Sequence, residues 1–285
     1  MAILSHGSSP AVEAGSNGTT PNPDSEQARQ ALQAFELGRF LLANRGLNGF
    51  WTSYIVLFPD RGLNSRLSSD GKPLSDLEAW ILERCPIVLA TQERFRIFKR
   101  LTQPLLHSSI QAASIPCGLM DDLLTLDYAG LTHVALTGVD LDRDSLDEAA
   151  QNYLRLKPPV ETKFVLSDAW NLPSERWHII TSNGLNIYVQ DDEQCTALYR
   201  SFAQHLEPEG ILVTSFITPP ATWLPKSVSD LAYQRFLFSE VVSVKWQCVR
   251  SEEQTRQQLE SAGLEVVAIE YDSQHMFPAV VAQKK

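Results

Sequence analysis

Four short stretches carry polar groups at spacings that suit a large polar ligand: Ile115-Pro116-Cys117-Gly118, Gly138-Val139-Asp140-Leu141-Asp142, Ser167-Asp168-Ala169-Trp170 and Ser182-Asn183-Gly184-Leu185. Each follows a short apolar run. Gly118 lets a backbone approach a ligand where a Cβ would block it. Asp140 lies about twenty residues further on, where a carboxylate can accept hydrogen bonds from the two hydroxyls of a ribose. Asp168 and the next backbone N–H can read an adenine edge, with Leu141 packing on a flat base. Gly184 again allows close approach, flanked by Asn183 and Asn186. The bland reading of each is a solvated turn. In order on one chain, they read as one site for a nucleotide-like cofactor.

The elements that must hold these turns alternate. Strand-like runs at 110–115, 134–139, 162–166, 177–182 and 210–216 are separated by helical patterns at 119–129, 144–156 and 191–206. Such alternation predicts a parallel sheet wound with helices on both faces. Ligands of such sheets bind outside the carboxyl ends of the strands. Leu264–Asp272 and Met276–Lys284 read as a closing strand pair with an antiparallel end. Before the sheet, residues 26–47 show apolar positions at helical spacing, Ser75 caps a second helix, and a third runs from Ile87 toward Pro104. The organisation predicted is a disordered tail over 1–25, a helical lobe over 26–105, and a cofactor domain over 106–285 with an aromatic insertion at 218–247.

Composition narrows the classes. The chain has 285 residues and a net charge of -10, with 20% charged residues. That balance argues against nucleic acid as a partner, since such proteins show basic faces. No apolar run approaches the ~20 residues of a membrane-spanning helix. The N-terminus lacks a secretory pattern, and Cys85, Cys117, Cys195 and Cys248 are spaced neither as a zinc knuckle nor as a disulfide framework. A cytoplasmic monomer or homodimer is expected. Gly118 stands alone where a dinucleotide fingerprint wants three glycines. Asp121 and Asp122 beside it would repel a pyrophosphate, which favours a ligand with a positive or neutral group here.

The constellation resembles the class I S-adenosylmethionine-dependent methyltransferases. The likeness covers roughly residues 106–285 and rests on SIPCG, GVDLD, LSDAWNLP, SNGLNIYV and LEPEGILVTSF in order. It implies an α/β, doubly wound, mostly parallel Rossmann-like sheet with the last strand antiparallel. It also implies S-adenosylmethionine as cofactor and S-adenosylhomocysteine as product. The cofactor residues implied are Ser114, Pro116, Cys117, Gly118, Asp140, Leu141, Asp168, Ala169, Trp170, Asn183, Gly184 and Leu185. The first loop departs from the family pattern: Ser114 stands in place of an acid, and Pro116 and Met120 in place of glycines.

Methyl transfer from a sulfonium is an in-line displacement that depends on alignment and exclusion of water. The ends of the fourth and fifth strands, Asn183-Gly184-Leu185 and Ser215-Phe216-Ile217, offer no carboxylates, so no metal is expected. The Asn-Pro-Pro-Tyr signature of base-methylating enzymes is absent. The acceptor is therefore expected to be a small, partly apolar molecule held between the helical lobe and the insertion. Their aromatics include Trp51, Tyr54, Phe58, Trp223, Tyr233, Phe236, Phe238 and Trp246. Tyr188 and His275 are the candidate catalytic contacts. Arg94 and Arg96 read as a solvated helix face, with recognition of a carboxylate as the alternative. The competing functions are an RNA or protein methyltransferase and a methyltransferase fold that binds cofactor without methylating.

Overall fold

The computed structural model describes residues 23–245 and 248–285. Residues 1–22, which hold most of the expected tail, and Trp246 lie outside the described residues. The described residues open with six α-helices: α1 (Pro23–Gln33), α2 (Glu36–Asn44), α3 (Gly49–Val56), α4 (Phe58–Arg61), α5 (Asp76–Glu83) and α6 (Pro86–Thr102). The single helix expected over 26–47 is two. Phe35 is extended, with φ -135° and ψ 160°, and its ring is buried in the lobe. The chain turns there so that α2 folds against α1. At Gly38 a Cβ would sit 2.0 Å from the carbonyl oxygen of Leu32, so that approach requires glycine. Asn48 caps α3 by accepting from the Trp51 N–H, and Ser75 caps α5 by accepting from that of Glu78.

Seven strands follow: β1 (Gln111–Ser114), β2 (Ala135–Asp140), β3 (Glu161–Leu166), β4 (Trp177–Ser182), β5 (Leu206–Ser215), β6 (Leu264–Glu270) and β7 (Ala279–Lys284). Their order is β3-β2-β1-β4-β5-β7-β6. The first five pair in parallel, and β7 runs antiparallel to both β5 and β6. This is the doubly wound, mostly parallel sheet with an antiparallel last strand. Between the strands lie α7 (Asp121–Leu124), α8 (Arg143–Leu156), α9 (Asp192–His205), α10 (Val228–Arg235) and α11 (Glu252–Ser261). The helix expected over 119–129 shrinks to the four residues of α7. Met120 before it is left-handed, at φ 59°, and Thr125 after it leaves helical geometry.

Strand order reverses between β1 and β4, so the crevice lies outside the carboxyl ends of those two strands. Register brings the ends together: Ser114 of β1 sits beside Gly138 of β2 and Thr181 of β4. On one face of the sheet Trp177 and Leu206 pack with Tyr199 and Phe202 of α9 and Leu259 of α11; on the other Ile110, Leu136 and Ile179 pack with Leu123 of α7 and Leu146 of α8. A separate core joins the lobe to the insertion, with Leu32, Leu37, Leu41, Ile81 and Leu82 against Leu237, Phe238, Val241 and Val242. The last four belong to a π-helical turn, Phe236–Val242, that continues α10. Polar ties reinforce this join. Gln234 accepts from the Ile87 N–H at 2.7 Å, and Asp230 accepts from Trp80 Nε1 and Arg84, each at 2.9 Å.

Candidate active site

The strand ends and the lobe enclose a cleft of about 360 Å³. Gly49, at the start of α3, lies against the first loop: a Cβ on Gly49 would come within 2.7 Å of the Gly118 Cα. Two glycines facing each other let the lobe close directly over the strand ends. Gly118 itself is left-handed, at φ 50°, a conformation glycine adopts without steric cost.

Asp140 organises the loop. It accepts from the Gly118 N–H at 2.9 Å through one oxygen and from the Asp142 N–H at 3.0 Å through the other. Burial raises its pKa, and the bonds from Asp142 and Gly118 oppose that rise. Asp122 is more deeply placed. It accepts from the hydroxyls of Ser114, at 2.9 Å, and Thr181, at 2.6 Å. Burial pushes its pKa up to about 6. Asp122 thus supplies a carboxylate over the ends of β1 and β4, where Ser114 replaces the family's acid. The sequence reading takes Asp121 and Asp122 as repelling a pyrophosphate and favouring a positive or neutral group, but not as cofactor-binding residues. The available signal was their place in the first turn after a strand whose own terminal acid was missing. Asp121 is tied by Asn152 Nδ2 at 2.9 Å and by Ser53 of α3, so the lobe and cleft share a hydrogen bond.

Of the cofactor positions expected from sequence, Ser114, Pro116, Cys117, Gly118, Asp140, Asn183, Gly184 and Leu185 line the cleft. Leu141, Asp168, Ala169 and Trp170 do not. Asp168 instead accepts from the Trp170 N–H at 3.0 Å, closing a local turn, and Leu141 is 70% exposed. Leu141, Asp168 and Trp170 are exposed at the turns after β2 and β3, whereas Ala169 is buried in the core that packs against α9.

A second, smaller chamber of about 100 Å³ opens behind the cleft. Leu47, Thr52, Asn183, Gly184 and Tyr188 line both, so the two spaces are contiguous. The inner walls are Leu41, Ile55, Ile81, Ile87, Val88 and Phe238, from the lobe and the insertion. Tyr188 stands at the junction. Its side chain is part exposed, while burial around the phenol raises its pKa. His275 lines neither space; its ring lies against Tyr271 at 4.9 Å. Arg96 is exposed, but Arg94 is not on a solvated face: it is buried, 4% exposed, in the wall of the inner chamber.

The cleft suits a cation-bearing ligand. Asp121, Asp122, Asp140 and Asp142 line it, and no lysine, arginine or histidine does. Residues 115–210 match the family model of a methyltransferase domain. A possible exported protein from Bordetella parapertussis has 38% sequence identity, covering 91% of this chain and 87% of that one, with a TM-score of 0.82. Its likeness spans the lobe as well as the sheet. The chain belongs to the class I S-adenosylmethionine-dependent methyltransferases. Magnesium protoporphyrin IX methyltransferase (ChlM) from Synechocystis PCC 6803, solved with bound S-adenosylhomocysteine, shares the fold at 14% identity. That match covers 82% of this chain and the whole of the other, with a TM-score of 0.55. No curated protein matches.

For a class I methyltransferase the donor set is coherent. A sulfonium and an α-ammonium are both cations, and the cleft offers only carboxylates, hydroxyls and amides to meet them. Among the described residues no group of three or more His, Cys, Asp and Glu is placed to hold a metal ion. No helix among them is long and apolar enough to cross a membrane.

Proposed function

We propose that this methyltransferase acts on a compact, partly apolar small molecule received in the inner chamber, without a metal. The observation that carries the reading is the continuity of an acidic cleft with an apolar chamber through Asn183, Gly184 and Tyr188. S-adenosylmethionine, when bound, supplies a methyl group activated by its sulfonium. The chain's contribution is binding, orientation and dryness. Asp140 and the Gly118 loop would hold the ribose side, with Asp122 and Asp121 nearest the positive groups. Leu141, Asp168, the Ala169 N–H and Trp170 would frame the base at the turns after β2 and β3.

Gly184 brings the backbone of the β4 end to the boundary between the two spaces, where Leu47 and Thr52 close the gap from the lobe side. Tyr188 would orient the acceptor as a neutral phenol, as an ordinary tyrosine already is at physiological pH, and burial raises its pKa further. The apolar wall excludes water from the transfer. A chamber this small, walled by lobe and insertion, suits a small molecule better than a folded RNA or protein, which sets our reading apart from the macromolecular alternative.

The test is calorimetric titration with S-adenosylhomocysteine, followed by a screen for methylated products with small acceptors. Micromolar binding and product from a small molecule are expected. Binding without product from any acceptor would return the alternative of a fold that no longer methylates. We place the protein in the cytoplasm, where the donor is made, and as a monomer or homodimer. The Bordetella relative is described as a possible exported protein, so cell fractionation with an antibody against this chain decides the compartment.

A further inference from the structure

Arg94 is a buried cation that the fold leaves largely unused. It sits on α6 with 4% of its surface exposed. Its one hydrogen bond given by the geometry is from Nη1 to Ser215 Oγ, at a long 3.4 Å. Its Nε is buried without a partner. The guanidinium lies over the Phe277 ring, 4.7 Å from the centroid. Among the described residues no carboxylate forms a salt bridge with it. Asp272 is the nearest acid electrostatically, but its oxygens are committed to the N–H groups of Gln274, Met276 and Phe277 at 2.6–2.9 Å.

A buried, unpaired guanidinium is costly, and proteins retain one where something meets it. Burial lowers the pKa of Arg94 to about 10, so it remains charged at neutral pH. It forms part of the wall of the inner chamber, next to Gly184: a Cβ on Gly184 would be 3.3 Å from Nη1. Apart from it, no residue lining that chamber is charged. The planar fork of an arginine matches a carboxylate with two parallel N–H donors.

Resting on the reading of the inner chamber as the acceptor site, we propose that Arg94 anchors the carboxylate of the methyl acceptor, which is a compact apolar monocarboxylic acid. Size sets the apolar part. A cavity of about 150 Å³ holds a benzene ring, and this chamber measures about 100 Å³. The chamber alone is therefore too small for a whole ring; it takes a short aliphatic chain, or a ring that extends through the junction at Asn183, Gly184 and Tyr188 into the cleft. A single arginine among aliphatic walls suits one negative charge. A phosphate dianion would call for more donors than the lining supplies.

The experiment uses the whole protein saturated with S-adenosylhomocysteine. Benzoate, cyclohexanecarboxylate and hexanoate are titrated calorimetrically beside their uncharged amides, with benzylamine as a cation control. At least one acid is expected to bind tenfold or more tightly than its amide, and benzylamine not at all. Arg94→Met should remove the preference for acid, and Arg94→Lys should keep part of it. The acid–amide comparison on wild type needs no variant, so a misfolded Arg94→Met leaves the proposal exposed to refutation. Equal binding of acids and amides would overturn it, as would no acid binding up to 10 mM, or acid binding undiminished in a folded Arg94→Met. If S-adenosylhomocysteine itself fails to bind, the methyltransferase reading fails separately. Titration of the acids into the protein alone then still decides the role of Arg94.

Discussion

The cleft and the inner chamber are neighbours of opposite character. The cleft carries four aspartates and no cation; the chamber carries one arginine and no carboxylate. The cleft is assembled from turns that close within a few residues, such as Asp140 holding the Asp142 N–H, and from strand ends in register. The chamber is assembled from segments far apart in sequence, such as Arg94 beside Ser215 and Ile87 tied to Gln234. The contrast teaches a division of labour. On the functions proposed above, the acidic surface would gather a positively charged donor, and the apolar chamber with one buried cation an acceptor of opposite sign. The two meet at Gly184.

The junction is where this contrast breaks most easily. Gly184 has φ 98°, and any Cβ there meets Arg94. Gly184→Val forces a branched residue into a left-handed backbone and pushes into both spaces. Loss of S-adenosylhomocysteine binding by more than about a hundredfold is expected, roughly 3 kcal/mol, with the circular-dichroism spectrum of the fold retained. Normal binding by the variant would show that the donor and acceptor spaces meet elsewhere.

Asp140→Ala tests the cleft alone. It removes the acceptor for both the Gly118 and Asp142 N–H groups and the acid offered to a ribose. Calorimetry should show cofactor affinity reduced by roughly 1.5–3 kcal/mol, the scale of hydrogen bonds to a charged group. Acid binding in the inner chamber should change little. Equal losses in both would mean that the two spaces are one.

A pH series addresses Asp122. Its folded pKa of about 6 lies above that of an unfolded aspartate, near 3.9. The folded chain therefore holds the extra proton between these values. Stability falls as pH rises through that window, by roughly 1–3 kcal/mol, and the cost persists above it. Affinity for a cationic ligand runs the other way, since the carboxyl must ionise to attract it. Binding of S-adenosylhomocysteine should tighten about tenfold from pH 5 to pH 7. A flat profile would place the ammonium away from Asp122.

The smallest effect is expected at the turn after β2. Leu141 is 70% exposed and lies outside the cleft lining. Leu141→Ala should cost less than about 1 kcal/mol of cofactor affinity, near the range of ordinary surface changes. A loss beyond about 1.5 kcal/mol, the scale of a base stacked on a side chain, would mean that the leucine covers the base and that the cleft extends over β2 and β3.

Legibility in the sequence followed the range of the interactions. The alternation of strands and helices from residue 109 onward was readable because period and turn residues are local properties. So was the antiparallel end of the closing strand pair. The break between α1 and α2 was not readable, because Phe35 leaves the helix to bury its ring against residues far along the chain. The shortened α7 was missed for a similar reason: Asp121 and Asp122 fit a helix locally, but they are held by Asn152, Ser114 and Thr181.

The sequence by itself determined the order of the polar turns, the parallel winding that brings them to one edge, and the acidity of the residues there. Those follow from side-chain period, from the right-handed crossover and from residues a few positions apart. Only the tertiary structure decided that Asp122 takes the place of the missing strand-end acid, that Gly49 closes on Gly118, and that Arg94 points inward. Periodicity marks which face of a helix is apolar, but not which distant segment covers it. For Arg94, it was the packing of α6 against β5, β7 and the insertion that turned a polar position on a helix into a buried charge in a chamber wall.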